Sequence, residues 1–229
     1  MARKKIQSKT KTSKTKILIV DDHPIVRQGL AQLINQEDDL VVCGQAEGVH
    51  QALAAIKKTK PDTVIVDISL KDRSGLDLIK NLSIRHPDLA VLALSMHDES
   101  LYAERALRAG AQGYVMKAEA TKKVVEAIRH ILDGRVYLSD KMSARMMAKL
   151  VGQGAGVNAS DIDTLSDREL EVFTMIGCGI GTRHIAEKLS LSVKTIETYR
   201  AHIKEKLFLE DASELLSHAI KWVNNREKN

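Results

Sequence analysis

Ile17-Leu18-Ile19-Val20-Asp21-Asp22 decides how the rest of the chain is read. A short apolar run of this kind suits a buried parallel strand, and the acidic pair closes it abruptly. The pattern returns twice: Thr63-Val64-Ile65-Val66 ends in Asp67, and Gly113-Tyr114-Val115-Met116 ends in Lys117. In an open α/β sheet the carboxyl ends of the strands are where chemistry sits. Three carboxylates converging there make a site for a hard divalent cation. A lysine opposite them suits a transferred phosphoryl group.

Outward from these runs, strand and helix signals alternate five times between Lys16 and about Asp133. Leu40–Gly44 and Ala90–Ser95 supply the other two strands. Helical periods cover Pro24–Asn35, His50–Thr59, Ser74–Arg85, Glu99–Ala109 and Lys122–Leu132. In the first of these Ile25, Val26, Leu30, Leu33 and Ile34 are expected on one face, and Pro24 suits the first turn. Gly110 and Gly134 stand just past two of the helices, where a left-handed residue ends a helix at little cost. Short connections between alternating elements imply a doubly wound, five-stranded parallel sheet with helices on both faces.

Ser139–Val151 reads as one more short amphipathic helix. The segment Gly152–Ser160, nearly free of apolar residues, reads as a flexible linker and the clearest domain boundary. Beyond Asp163 no strand signal occurs. Ser166-Asp167-Arg168-Glu169 is a capping box opening a helix to about Ile176. A short helix over Thr182–Leu189 follows, then the turn Ser190-Leu191-Ser192 and a longer helix to about Leu207. Asp211-Ala212-Ser213-Glu214 caps a last helix through Trp222. Four helices with a tight turn between the second and third have helix-turn-helix geometry. The domains expected are a disordered basic tail over 1–15, an α/β domain over 16–135, a linker over 136–163 and an all-α domain over 164–229.

The net charge of +5 misleads until it is divided. Residues 1–16 hold seven Lys/Arg and no acid, and residues 164–229 hold ten of each sign. A nucleic-acid partner must therefore be argued from where charges lie, not from the total. Cys43 and Cys178 fall in separate domains without metal-ligand spacing, and the eight histidines form no zinc motif. No apolar stretch is long enough to span a bilayer and no signal peptide is visible, so a cytoplasmic location without membrane attachment is expected. An aromatic content of 3% argues against single-strand or RNA binding by stacking and favours double-stranded DNA.

Asp21-Asp22, Asp67, Ser95, Tyr114 and Lys117 stand in the order and spacing of a two-component receiver domain, which residues 16–134 resemble. Residues 164–225 resemble the LuxR-type helix-turn-helix through Leu165–Val172, Ile185–Leu189, Thr195–Arg200 and Lys206-Leu207. Together they resemble the NarL/FixJ class of response regulators. The resemblance implies a flavodoxin-like receiver and a transcription regulator rather than an enzyme. It makes Asp67 the acceptor of a phosphoryl group from a sensor histidine kinase. It implies Mg2+ held by Asp22 and Asp67, by Asp21 through water and by a carbonyl near Ser69. Lys117 would meet the phosphoryl oxygens, and Ser95 and Tyr114 would form the switch. A homodimer on DNA is implied as well, with the apolar residues of the last helix available for it.

On the expected recognition helix, Val193, Ile196, Ile203 and Leu207 make the inward stripe. Lys194, Glu197, Thr198 and Ala201 face outward, with Glu197 and Thr198 as base readers. Lys194, Arg200, Lys204 and Arg183 would hold phosphates.

The chain departs from the family at Lys71, where proline is usual, at Ala118, at Gly181-Thr182-Arg183 and at Phe208. Ser69 and His97 flank the pocket at positions that tune hydrolysis. Two other readings are distinguishable. A phosphohydrolase with Asp67 as nucleophile would want a general acid two residues on, where Ser69 stands. A regulator binding DNA regardless of phosphorylation would not need the acidic pocket.

Overall fold

Strand β1 (Thr15–Val20) buries Ile17, Leu18, Ile19 and Val20 completely. Each such side chain contributes about 1.5–3 kcal/mol by leaving water. The computed structural model describes residues 14–71, 74–96, 99–150 and 161–227. The basic tail before Lys14, His97 and the Gly-rich linker before Asp161 lie outside them. The described chain forms two compact units that part between Met142 and Ser143.

In the first unit β1 is joined by β2 (Leu40–Ala46), β3 (Thr63–Asp67), β4 (Ala90–Ser95) and β5 (Gly113–Met116). All pair in parallel, in the order β2-β1-β3-β4-β5. Four helices intervene, α1 (Pro24–Asn35), α2 (Val49–Thr59), α3 (Gly75–Arg85) and α4 (Glu99–Ala109), and α5 (Ala120–Leu132) follows β5. Right-handed crossovers place α1 and α5 on one face and α2, α3 and α4 on the other. Leu30 and Ile34 of α1 and Val124, Ala127, Ile128 and Ile131 of α5 close over Ile17, Ile19, Ile65, Leu92 and Leu94.

The expected face of α1 needs one correction: Ile25 is 84% exposed. Five residues at about 100° each put it on the far side of the helix from Leu30. The buried stripe is Arg27, Leu30 and Ile34.

Gly110 and Gly134 do adopt left-handed φ angles, +110° and +76°. Gly75 is required for a different reason: a Cβ there would lie 1.9 Å from the Asp67 carbonyl oxygen. The start of α3 is thereby pressed against the backbone that follows β3.

Past α5 the chain lies along the outer edge of β5. Tyr137 donates its N–H to the Gln112 carbonyl and accepts from Tyr114 N–H, at 2.9 and 3.0 Å. Helix α6 (Asp140–Leu150) follows.

The second unit holds α7 (Asp167–Gly177), α8 (Thr182–Lys188), α9 (Val193–Lys206) and α10 (Ala212–Glu227). Ser166 and Glu169 close the expected capping box, and Ser192 caps α9 by accepting from Thr195 N–H. Helix α10 runs beyond the expected end at Trp222. Its Leu215 and Ala219 are fully buried, whereas Leu216 and Ile220 are 43% and 37% exposed. Phe173 anchors the core, with its ring 5.5 Å from that of Trp222.

Candidate functional sites

The parallel register determines which side chains meet. Val20 pairs with Val66, so Asp21 and Asp67 emerge level on adjacent strands. Ser95 pairs with Met116, one residue before Lys117. The strand order reverses between β1 and β3, the switch point at which open α/β sheets place their sites.

At that edge Asp21, Asp67 and Ser95 are fully buried and Asp22 nearly so. Lys117 Nζ lies between two carboxylates, 2.6 Å from Asp67 Oδ2 and 2.7 Å from Asp21 Oδ2. The other oxygen of Asp67 accepts the Ser69 N–H at 3.0 Å. Burial pushes the Asp67 carboxyl above its ordinary pKa and the Asp21 charge adds to this, while Lys117 opposes it. Burial alone would lower the Lys117 ammonium, but Asp67 and Asp21 outweigh it and hold its pKa up.

Tyr114 is buried on β5, opposite Ala93 of β4. Asp21, Asp22, Asp67 and Lys117 are thus brought together at one sheet edge. Ser95 ends β4 at the same edge, while Tyr114 stands two residues before the end of β5.

Two residues at this edge were not picked out by sequence reasoning. His23 donates its backbone N–H to Asp21 Oδ1 at 2.8 Å, and its Nδ1 lies 2.7 Å from Asp22 Oδ1. Its position directly after the acidic pair was the available signal, because an Asp side chain commonly accepts from the backbone two residues on. Arg27 is buried; it donates to the Asp21 carbonyl at 2.6 Å and to Glu47 Oε1 at 2.8 Å. It shares the helical stripe of Leu30 and Ile34, so periodicity applied to every residue type would have placed it inside.

Asp21, Asp22, His23 and Asp67 can each offer one ligand atom within 4.8 Å of the others. Three buried carboxylates against one buried ammonium leave an excess of negative charge. That donor set is compatible with a hard divalent cation.

In the second unit Ile196 and Ile203 are fully buried and Leu207 nearly so. Val193 is 45% exposed and does not belong to the inward stripe. As the first residue of α9 it has no preceding helical turn to pack beside. Lys194, Glu197, Thr198 and Ala201 are exposed together, and Arg183 is exposed on α8. Lys204 is half-buried. Arg200 is also half-buried, with Nε 3.5 Å from Glu197 Oε2. With Glu197 exposed and the contact this long, the pair is worth about 0–1 kcal/mol, so it does not lock Glu197 away from another partner.

The far end of α9 is pinned more firmly. Glu169 Oε2 accepts from Lys206 Nζ at 2.6 Å and from Ser166 N–H at 2.7 Å. Burial raises the Glu169 carboxyl, but Lys206 and Ser166 more than offset it, and its pKa is lowered. A lowered carboxylate pKa stabilises the folded state above its ordinary value and loses that contribution as pH falls through the lowered one. Glu169→Ala is expected to cost the helical unit about 1–2 kcal/mol at neutral pH. The difference from the native unit should close below the carboxylate range in pH-dependent denaturant melts.

Residues 17–129 match the response regulator receiver domain. Residues 163–219 match the bacterial regulatory proteins of the luxR family. The oxygen regulatory protein NreC of Staphylococcus carnosus is 36% identical over 210 residues, covering 90% of this chain and 97% of that protein. The chain belongs to the response regulators of the NarL/FixJ class. The response regulator GacA of Pseudomonas syringae pv. syringae is also 36% identical, over 207 residues that cover 90% of this chain and 95% of that one.

Among solved response regulators, RcsB of Salmonella typhimurium superposes with a TM-score of 0.61 at 25% identity, over 91% of this chain and 98% of that one. RcsB bound to promoter rprA in the presence of the phosphomimetic BeF3- gives 0.57 at 26% identity, over 90% and 98%. The receiver and the LuxR-type helix-turn-helix of this regulator are therefore its two functional parts.

Proposed function

We propose that this response regulator controls transcription through phosphorylation of Asp67. The observation that carries the reading is the convergence of three buried carboxylates at the switch point of the sheet, two of them, Asp21 and Asp67, bridged by Lys117. One oxygen of Asp67 attacks the phosphorus of a phosphohistidine on a sensor histidine kinase. The P–N bond breaks, its electron pair returns to the imidazole, and the P–O bond of an acyl phosphate forms.

Asp22 and Asp67, with Asp21 through water and the Ser69 carbonyl, are the residues that would hold Mg2+. The cation supplies charge compensation for the equatorial phosphoryl oxygens. Lys117 donates to the same oxygens, and Ser95 and Tyr114 respond to the new group as the switch.

The proposed domains are a receiver over 16–135, whose first strand begins one residue earlier at Thr15, a linker over 136–163 and a DNA-binding domain over 164–229, with a basic tail before that strand. Lys194, Arg200, Lys204 and Arg183 hold phosphates of double-stranded DNA, while Glu197, Thr198 and Ala201 meet base edges. Phosphorylation favours a homodimer and with it a two-fold related DNA site. The exposed Leu216 and Ile220 of α10 support an interface there. The solved structure of two RcsB dimers bound to two parallel DNAs supports a dimer as the DNA-bound form. The setting is the cytoplasm.

The test is intact mass after exposure to Mg2+ and a small phosphodonor, followed by DNA binding of both forms. One added phosphoryl group and tighter sequence-specific binding of the modified form are expected. Equal binding by the two forms would overturn the control proposed.

A further inference from the structure

Lys71 lies on the loop after β3, and its Nζ is 3.8 Å from Asp22 Oδ2. Its side chain is 60% exposed, whereas that of Asp22 is 5% exposed, so the ammonium stands at the mouth of the pocket. The two residues line one cleft of about 380 Å³ with Glu47, Gly48, His50 and Gln51. Glu47 is compensated by Arg27 at 2.8 Å. Among the described residues, the uncompensated charge facing Lys71 is therefore that of the carboxylate cluster itself.

Formal charge shows what a second lysine does there. Asp21, Asp22 and Asp67 against Lys117 leave two negative charges, which one divalent cation would cancel. With Lys71 included, the resting pocket has one negative charge, and the cation alone makes it one positive. A phosphoryl group carries about −1.5 to −2 in place of the single Asp67 charge. Only with cation and phosphoryl group both present does the pocket that includes Lys71 come close to neutral.

We propose that Lys71 is an electrostatic coupling residue that weakens divalent-cation binding to the resting pocket and makes cation and phosphoryl group bind more cooperatively. The inference rests on the reading of the acidic cluster as a divalent-cation site. Lys71 acts through its charge on Asp22 and needs no direct contact with the cation. Its effect is bounded by its exposure, since water and salt screen it.

The experiment is calorimetric titration of the full chain with Mg2+, with and without beryllofluoride as the phosphoryl stand-in. Lys71→Gln removes the charge and shortens the side chain by one atom; Lys71→Arg keeps the charge. Lys71→Gln should bind Mg2+ alone about three- to fivefold more tightly, the range of an exposed charge interaction. It should also gain less affinity than the native chain when beryllofluoride is added. Lys71→Arg should follow the native chain, and the differences should shrink as salt is raised.

Equal Mg2+ affinity in Lys71→Gln and the native chain would overturn the role of Lys71 and leave the cation site standing. A difference unaffected by salt would also overturn it, because the cause would then be shape rather than charge. No Mg2+ binding to the native chain would remove the cation site and the inference with it.

Discussion

In Asp67→Asn, phosphoryl uptake is expected to fall to nothing while the resting receiver keeps its stability to within about 1 kcal/mol. The loss of uptake is chemical: a carboxamide is not a nucleophile toward phosphorus under these conditions and cannot form the acyl phosphate. The small effect on stability follows from two opposing changes. Asp67 is fully buried beside Asp21, so the substitution removes a charge that burial already disfavours. The carboxylate also accepts from both Ser69 N–H and Lys117, whereas the carboxamide oxygen satisfies only one of them. Lys117 keeps Asp21 as a partner in either case.

The pH dependence gives this prediction a sign. An acid whose folded-state pKa is raised favours folding at low pH, and that contribution is lost as pH rises through the raised value. Without divalent cation, the melting temperature of Asp67→Asn should therefore improve relative to the native chain as pH rises past the carboxylate range. A loss of several kcal/mol at neutral pH, or an opposite trend with pH, would mean that the carboxylate supports the fold rather than being tolerated for its chemistry. Retained uptake would place the acceptor elsewhere.

The sheet and the acidic pocket were legible because they depend on local pattern. Ala90–Ser95 and Gly113–Met116 are strands with the expected limits, since an apolar run bounded by polar residues leaves a buried strand few alternatives. Strand-end position was enough to bring Asp21, Asp67 and Lys117 together, because parallel strands in one register share an edge. Facing was harder to read. Ile25 and Val193 are apolar yet exposed, and hydrophobicity alone does not separate such residues from the stripe that packs. Arg27 was passed over for the opposite reason: it is charged yet buried, and its partners are the Asp21 carbonyl and Glu47. Tyr137 shows a further limit. Its backbone completes the edge of β5 through bonds that no periodicity announces.

Lys117→Met is expected to destabilise the receiver by about 3–5 kcal/mol in the absence of divalent cation, the cost of leaving a buried charge without its partner. Lys117 is 5% exposed and neutralises Asp21 and Asp67 together at 2.7 and 2.6 Å. The ammonium of Lys71 is mostly exposed and stands by Asp22 instead. The native contribution of Lys117 holds across the physiological range. Its pKa is raised, so the contribution is complete below the ordinary lysine value and is lost only as pH rises through the raised one.

In the variant Asp67, whose carboxyl burial already pushes up, can escape the repulsion by taking up a proton. The gap to the native chain should therefore narrow as pH falls into the carboxylate range. Mg2+ offers the same relief at neutral pH, so the melting temperature of the variant should rise more steeply with Mg2+ concentration than that of the native chain. A variant as stable as the native chain without cation would contradict the buried bridge. One that loses stability but gains nothing from Mg2+ would separate the ammonium's structural role from the cation site. If both effects appear, Lys117 stands in for the divalent charge in the resting pocket, and the same geometry that holds the fold together keeps Asp67 ready for a phosphoryl donor.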